Sequence, residues 1–191
     1  KSDSLDHVVP FSKKVQTELS SQVREFKAEK KEKHCCFISQ HKSVRKIILI
    51  GLGMPDDVTY NSFRMSIGEA VKYASGYNCS TAALCASGAI QNRLGFPDVY
   101  YLMAETALLS CYSFTKYKTR KENHGTSLSS MSVAVAAEKN RQKVSEEVRK
   151  AGIIAARVCS ARDLVNEPPN ELTPVHFAHS LIREAKKISL P

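Results

Sequence analysis

The chain has 191 residues, a formal net charge of +9, six cysteines and no tryptophan, with 42% apolar and 25% charged residues. This is the composition of a folded domain, or of one domain and part of a second, long enough to bury a core without disulfides or metal. It excludes a disordered chain, and no stretch reaches the roughly 18 uninterrupted apolar residues of a membrane span.

Residues 11–26 place Val15, Leu19, Val23 and Phe26 at spacings of three and four, which predicts an amphipathic helix. A lysine-rich connector follows at 27–33, then a short strand candidate from Cys35 to Ser39. Lys46-Ile47-Ile48-Leu49-Ile50 is a continuous β-branched run closed by Gly51-Leu52-Gly53, the pattern of a strand covered on both faces. Pro55-Asp56-Asp57 predicts a turn. Phe63, Ile67, Ala70, Val71 and Ala74 form a second helical stripe, which Gly76 is placed to stop. Thr81 to Ala86 reads as a strand, and Gly88 and Pro97 punctuate the stretch after it. Asp98 is placed to cap a helix running to about Tyr117. Met131, Val133 and Val135 alternate with small residues, as in a strand.

The order helix, strand, strand, helix, strand, helix, strand predicts an α/β layered domain with a largely central sheet. The pattern then changes. Val144, Val148, Ala151, Ala155, Val158 and Val165 make one long stripe, a helix of about 24 residues and about 36 Å, enough to cross from one domain to the next. Asn166-Glu167-Pro168-Pro169 ends it, because a residue before proline is pushed out of the helical region. Thr173-Pro174 restarts a helix, with Thr173 as cap and Ala178, Leu181, Ile182, Ala185 and Ile188 on its apolar side.

Two lysine-rich runs, Lys27 to Lys33 and Lys116 to Lys121, carry the excess charge. Such an excess suits nucleic acid, an anionic surface or an acidic partner, and does not choose among them. The simplest reading is a pair of solvated loops. Tyr112 and Tyr117 flank the second run but make a poor stacking platform for bases. Cys35, Cys36, Cys79, Cys85, Cys111 and Cys159 form no Cys-x-x-Cys pair and read as small buried hydrophobes in a reducing compartment. Cys35-Cys36 beside His34, the turn pair Asp56-Asp57, and His176 and His179 three apart on a helix are the metal-ligand candidates. Each has a simpler explanation: a strand start, turn chemistry and a helix surface. Neither a dinucleotide fingerprint, a phosphate loop, a Gly-x-Ser-x-Gly elbow nor a His-Glu-x-x-His pair occurs. The opening Lys1-Ser2-Asp3-Ser4-Leu5-Asp6 lacks an apolar signal core and an initiator Met, so secretion is not indicated and a processed or trimmed chain is expected.

Ala155 to Pro174 reads Ala-Ala-Arg-Val-Cys-Ser-Ala-Arg-Asp-Leu-Val-Asn-Glu-Pro-Pro-Asn-Glu-Leu-Thr-Pro. This stretch resembles the junction of the cytosolic leucyl aminopeptidases, a helix ending in Ala-Arg-Asp-Leu-x-Asn followed by a Pro-Pro-Asn-x-Leu-Thr-Pro loop. Ile48 to Gly53 is similar to the same family's strand and turn, Val-Leu-Val-Gly-Leu-Gly. Over residues 1–45 and 76–130 the likeness is one of element order.

The resemblance implies a three-layer, macro-domain-like α/β domain with a central mixed sheet between helices at 1–139, an interdomain linker helix at 140–165, and the start of a truncated catalytic domain at 166–191. It also implies a cytoplasmic, homohexameric enzyme that removes leucine-like residues from peptide N-termini with two divalent metals, zinc, manganese or magnesium. The family's metal-binding segments, Gly-Lys-Gly…Asp-Ser-Gly-Gly and Asn-Thr-Asp-Ala-Glu-Gly-Arg, are not in this sequence and are expected beyond Pro191. No catalytic, cofactor or metal residue is therefore assigned, and the chain by itself is expected to be inactive, serving assembly and access to the active site. The alternative, from the charge and the macro-domain analogy, is a nucleic-acid or ADP-ribose-like nucleotide-binding module.

Overall fold

The computed structural model describes residues 13–24, 26–39, 41, 43–77, 79–119, 128–135 and 138–187. The chain runs through helix α1 (Lys13–Gln22), strands β1 (Lys33–Phe37) and β2 (Lys46–Ile50), helix α2 (Tyr60–Gly76), strand β3 (Thr81–Leu84), helices α3 (Gly88–Leu94) and α4 (Asp98–Ser110), strand β4 (Ser130–Val133), and helices α5 (Arg141–Asn166) and α6 (Pro174–Lys187). The mixed α/β expectation holds. Among the described residues, however, the strands form two separate two-stranded sheets and not one central sheet: β1 pairs β2 antiparallel, and β3 pairs β4 parallel.

β2 occupies the expected residues, but none of its five side chains is fully buried. The reason is coverage. Ile47 and Leu49 pack on a small core made by Val15 and Leu19 of α1 with Cys36 and Ile38, and β1 is the strand's one partner among the described residues. The Gln22 side chain extends this sheet, donating Nε2 to the Phe37 carbonyl at 2.9 Å and accepting from the Phe37 amide at 3.0 Å. An amide side chain thus takes the place of a neighbouring strand.

The connector 27–32 is ordered by its own acid. Glu32 accepts from the amides of Lys27 and Glu29 at 3.0–3.1 Å, and Ala28 and Lys31 take positive φ of 59° and 70°. This loop lies on Gly51-Leu52-Gly53: the Gly53 amide donates to the Ala28 carbonyl, and a Cβ on Gly51 would sit 2.0 Å from the Glu29 carbonyl oxygen. Gly51 is therefore glycine because two backbones touch there, and Gly53 because its φ is +80°. The first basic run is a structured loop, with Lys33 bound to Glu69 of α2 at 2.6 Å.

The main core joins α2, α3 and α4 to the start of α5 through Phe63, Ile67, Val71, Ile90, Leu94, Val99, Met103 and Val144. A Thr59–Ser62 capping box starts α2. The short helix α3 stands where the sequence reading had only punctuation; Ser87 caps it by accepting from the Ile90 amide. Helix α4 ends at Ser110, about two turns before Tyr117, and Asp98 is its first residue and not its cap. The cysteines are all free, but only Cys36 is fully buried, and Cys85 and Cys111 are exposed, against the expectation that they pack as core residues. Cys111 lies just past the end of α4, where the chain has left the core.

Candidate functional site

The 26 residues of α5 span about 39 Å. Its stretch from Val144 to Ala155 is anchored: Val144, Ala151 and Ala155 are buried, and α4 against α5 is the most extensive contact in the fold. Small residues at 151 and 155 let the two helices approach closely. The stripe read from the sequence does not continue to its end, since Val165 is 85% exposed.

Polar contacts take over there. Tyr112 donates its hydroxyl to Asp163 Oδ1 at 2.8 Å and accepts from Asn166 Nδ2 at 3.0 Å. Lys116 Nζ reaches Glu167 Oε1 at 2.7 Å, and the Tyr117 hydroxyl donates to the other oxygen of the same carboxylate. Arg162 donates to the Leu109 carbonyl at 3.2 Å, its guanidinium 5.4 Å from the Tyr112 ring centroid. The loop after α4 therefore grips the end of α5. Part of the second basic run, read as solvated, works here as an anchor for the residue that precedes Pro168.

The hydrogen bonds set the protonation states. Lys116, then Tyr117, hold the Glu167 carboxyl below its usual value. The bond to Glu167 raises both the Lys116 ammonium and the Tyr117 phenol. Burial, then the bond to Asp163, raises Tyr112. All four groups are fixed in the state that keeps the anchor closed near neutral pH.

Beyond it, Glu167 is extended at φ −70°, ψ 134°, as the following proline requires, and Glu171 and Leu172 donate to the Pro168 carbonyl to close a turn. Thr173 caps α6 by accepting from the His176 amide. α6 is amphipathic, with its apolar side outward: Leu181 is 49%, Ile182 51% and Val175 62% exposed. Its tie to α5 is polar, Arg157 to Glu184 at 2.9 Å. Ile153 and Ile154 of α5 are also exposed. The result is an uncovered apolar surface on the last helix of the described chain.

The metal candidates do not converge. His34 and Cys36 share one face of β1 and Cys35 the other, because side chains alternate along a strand; Cys36 is sealed in the α1 core. Asp56 and Asp57 lie in a short turn of 3-10 helix, both exposed, and Arg93 binds the Asp56 carbonyl at 2.9 Å. The His176 ring nitrogen Nδ1 is engaged by the Glu171 carbonyl at 2.7 Å, and His179 is exposed. Among the described residues, no group of three or more His, Cys, Asp or Glu side chains stands ready to hold a metal ion.

A profile described as the cytosol aminopeptidase family, N-terminal domain, matches residues 10–121. The chain belongs to this family. The match covers the Ile48–Gly53 strand and turn and much of the stretch whose likeness is one of element order, and it stops short of the Asn-Glu-Pro-Pro junction. Among relatives of the cytosol aminopeptidase family, the probable cytosol aminopeptidase of Alkaliphilus oremlandii (strain OhILAs) is 30% identical over 146 residues, 76% of this chain and 29% of the relative. That of Agrobacterium fabrum (strain C58 / ATCC 33970) is 30% identical over 176 residues, 91% of this chain and 34% of the relative. The chain thus spans about a third of the length of these curated relatives.

In structure, the bottromycin maturation enzyme BotP matches with a TM-score of 0.68 and 25% identity, over 90% of this chain and 35% of that one. A tomato leucine aminopeptidase mutant matches with a TM-score of 0.64 and 18% identity, over 91% of this chain and 32% of that one, a likeness of fold. Neither the family match nor these relatives carry the nucleotide-binding alternative. Among the described residues, no helix is long and apolar enough to cross a membrane.

Proposed function

We propose that the chain is the N-terminal part of a cytoplasmic, metal-dependent aminopeptidase that releases leucine-like residues from peptides, and that its own task is to seat the catalytic domain. The observation that carries this reading is the match of a family-specific N-terminal domain to a chain one third as long as its relatives. In this reading residues 1–139 form the N-terminal domain, 140–165 the linker helix, and 166–191 the first part of the catalytic domain. The reading keeps a three-layer arrangement around a central sheet for the N-terminal domain, and a homohexamer for the whole enzyme.

The uncovered side of α6 supports the proposal. A helix whose apolar residues face outward while its polar Glu184 holds it in place is built to be covered by something else. The tightly held end of α5 fixes where that helix starts. In this reading the two divalent metals, zinc, manganese or magnesium, are held by the catalytic segments; among the described residues no group of three or more His, Cys, Asp or Glu side chains stands together. One solved neighbour, BotP, is described in complex with Mn.

The test is direct. The 191-residue chain, supplied with Mn²⁺ or Zn²⁺, is expected to release no leucine from leucine amide, whereas the polypeptide extended through the two metal-binding segments is expected to do so. Metal-dependent turnover by the 191-residue chain alone would overturn the division of labour.

A further inference from the structure

An open groove of about 410 Å³ lies where α2, α4 and α5 meet, lined by Arg64, Glu105, Thr106, Leu109, Ser110 and Arg162. We infer that it is a binding site for a small phosphate-class oxyanion, held by the Arg162 and Arg64 guanidiniums and the Ser110 hydroxyl.

Arg162 is the centre of the argument. Its guanidinium is fixed in two ways: one nitrogen donates to the Leu109 carbonyl, and its Cζ lies over the Tyr112 ring, 5.4 Å from the centroid. Among the described residues it has no carboxylate partner. A planar fork held this way keeps its remaining N–H groups available and loses little freedom on taking an anion. Arg64, on the opposite wall, is paired with Glu105 Oε2 at 2.8 Å. The second Glu105 oxygen accepts from Tyr101 at 2.9 Å, so this carboxylate is spoken for on both sides and its charge is spent on Arg64 and Tyr101.

Two guanidiniums against one saturated carboxylate leave a net positive groove. Ser110 adds a hydroxyl with no hydrogen bond among the described residues. It sits where a Cβ on Gly68 would come within 3.3 Å of its Oγ, so the absence of a side chain at 68 keeps that part of the floor open. The lining opposes the other ligand classes. A cation would find one carboxylate, already engaged, and an apolar ligand would have to desolvate two guanidiniums. Arg162 and Leu109 belong also to the anchor at the end of α5, but none of the lining residues lies on the outward side of α6, so the site does not depend on the aminopeptidase reading.

The experiment is a titration of the ¹⁵N-labelled 191-residue chain with inorganic phosphate at constant ionic strength, read by NMR, with acetate as the competing oxyanion. Saturable shifts are expected at Thr106, Ser110 and Arg162, with phosphate binding more tightly than acetate. Arg162→Gln is expected to weaken phosphate about tenfold or more, as loss of a charge-assisted hydrogen bond would. Ser110→Ala, which leaves the α5 anchor untouched, is expected to weaken it a few-fold. Lys72→Gln, removing one exposed charge elsewhere on α2, should change nothing. Shifts that do not saturate, that centre on the Lys27–Lys33 loop, that acetate reproduces equally, or that survive Ser110→Ala and Arg162→Gln unchanged would overturn the site.

Discussion

Helices α4 and α6 use the same kinds of side chain to opposite ends. In α4, Val99, Tyr100, Leu102, Met103, Ala104 and Ala107 are all buried, and together they span a little over half of the helix circumference. That pattern belongs to an element enclosed by its own domain. In α6 the apolar residues keep to one side, as in an ordinary surface helix, yet that side faces outward. A narrow stripe needs one partner, a wide one needs several. α4 has α2, α3 and α5 around it, while the partner of α6 is not among the elements described. Burial, not hydrophobicity, is therefore what separates a stabilising residue from a docking residue in this chain.

The sharpest way to break this contrast is to truncate one residue from each helix. Met103→Ala should cost about 2–5 kcal/mol in urea unfolding, since Met103 is fully buried at the centre of the main core. A loss below about 1 kcal/mol would mean the α4 core is loosely packed.

A second change should move stability the other way. Thr106 Oγ1, also on α4, is buried without a hydrogen-bond partner among the described residues. Thr106→Val exchanges that hydroxyl for a methyl and should stabilise by about 1 kcal/mol, read as a higher melting temperature.

Smaller again is the effect at the end of α5. Glu167 has a folded pKa below its unfolded one, so its contribution is present above the unfolded carboxyl range and fades as pH falls through the lowered value. Tyr117 has a raised folded pKa, so its contribution is present below the unfolded phenol range and fades as pH rises through the raised value. Stability against pH should therefore carry an acid and an alkaline shoulder, and Glu167→Gln should flatten the acid one. An acid limb identical in Glu167→Gln and the parent chain would show that the anchor does not contribute.

The smallest effect belongs to the outward stripe. Leu181→Ala should change the stability of the 191-residue chain by less than about 0.5 kcal/mol. α6 amides should exchange faster than those of β2, because few buried contacts hold the helix. Exchange at Leu181 as slow as at Ile48 would show that α6 is packed, and the contrast with α4 would fail.

Much of this fold is legible residue by residue. The run Lys46 to Ile50 forms β2 at both of its expected ends, and Asn166-Glu167-Pro168 stops α5 where proline stereochemistry requires. Other features escape because their cause is distant in sequence. α3 is seven residues long, too short for a periodic stripe, and it is recognisable mainly by its Ser87 cap. α4 ends before Tyr112 because Tyr112 and Tyr117 turn away to reach Asp163 and Glu167, some 50 residues ahead. Nothing in the local pattern of Lys116 to Lys121 separates a solvated run from an anchor.

The sequence by itself determined the type of every element except α3, the break at Pro168, the amphipathic nature of α6 and, through Ala155 to Pro174, the family. These rest on local rules: side-chain period, proline geometry and helix capping. Only the tertiary structure decided that the strands described here pair as two small sheets, that Gly51 is glycine because the 28–29 backbone lies on it, and that α6 turns its apolar side outward. Each of these depends on which surfaces meet, and that is set by packing between residues far apart in the chain.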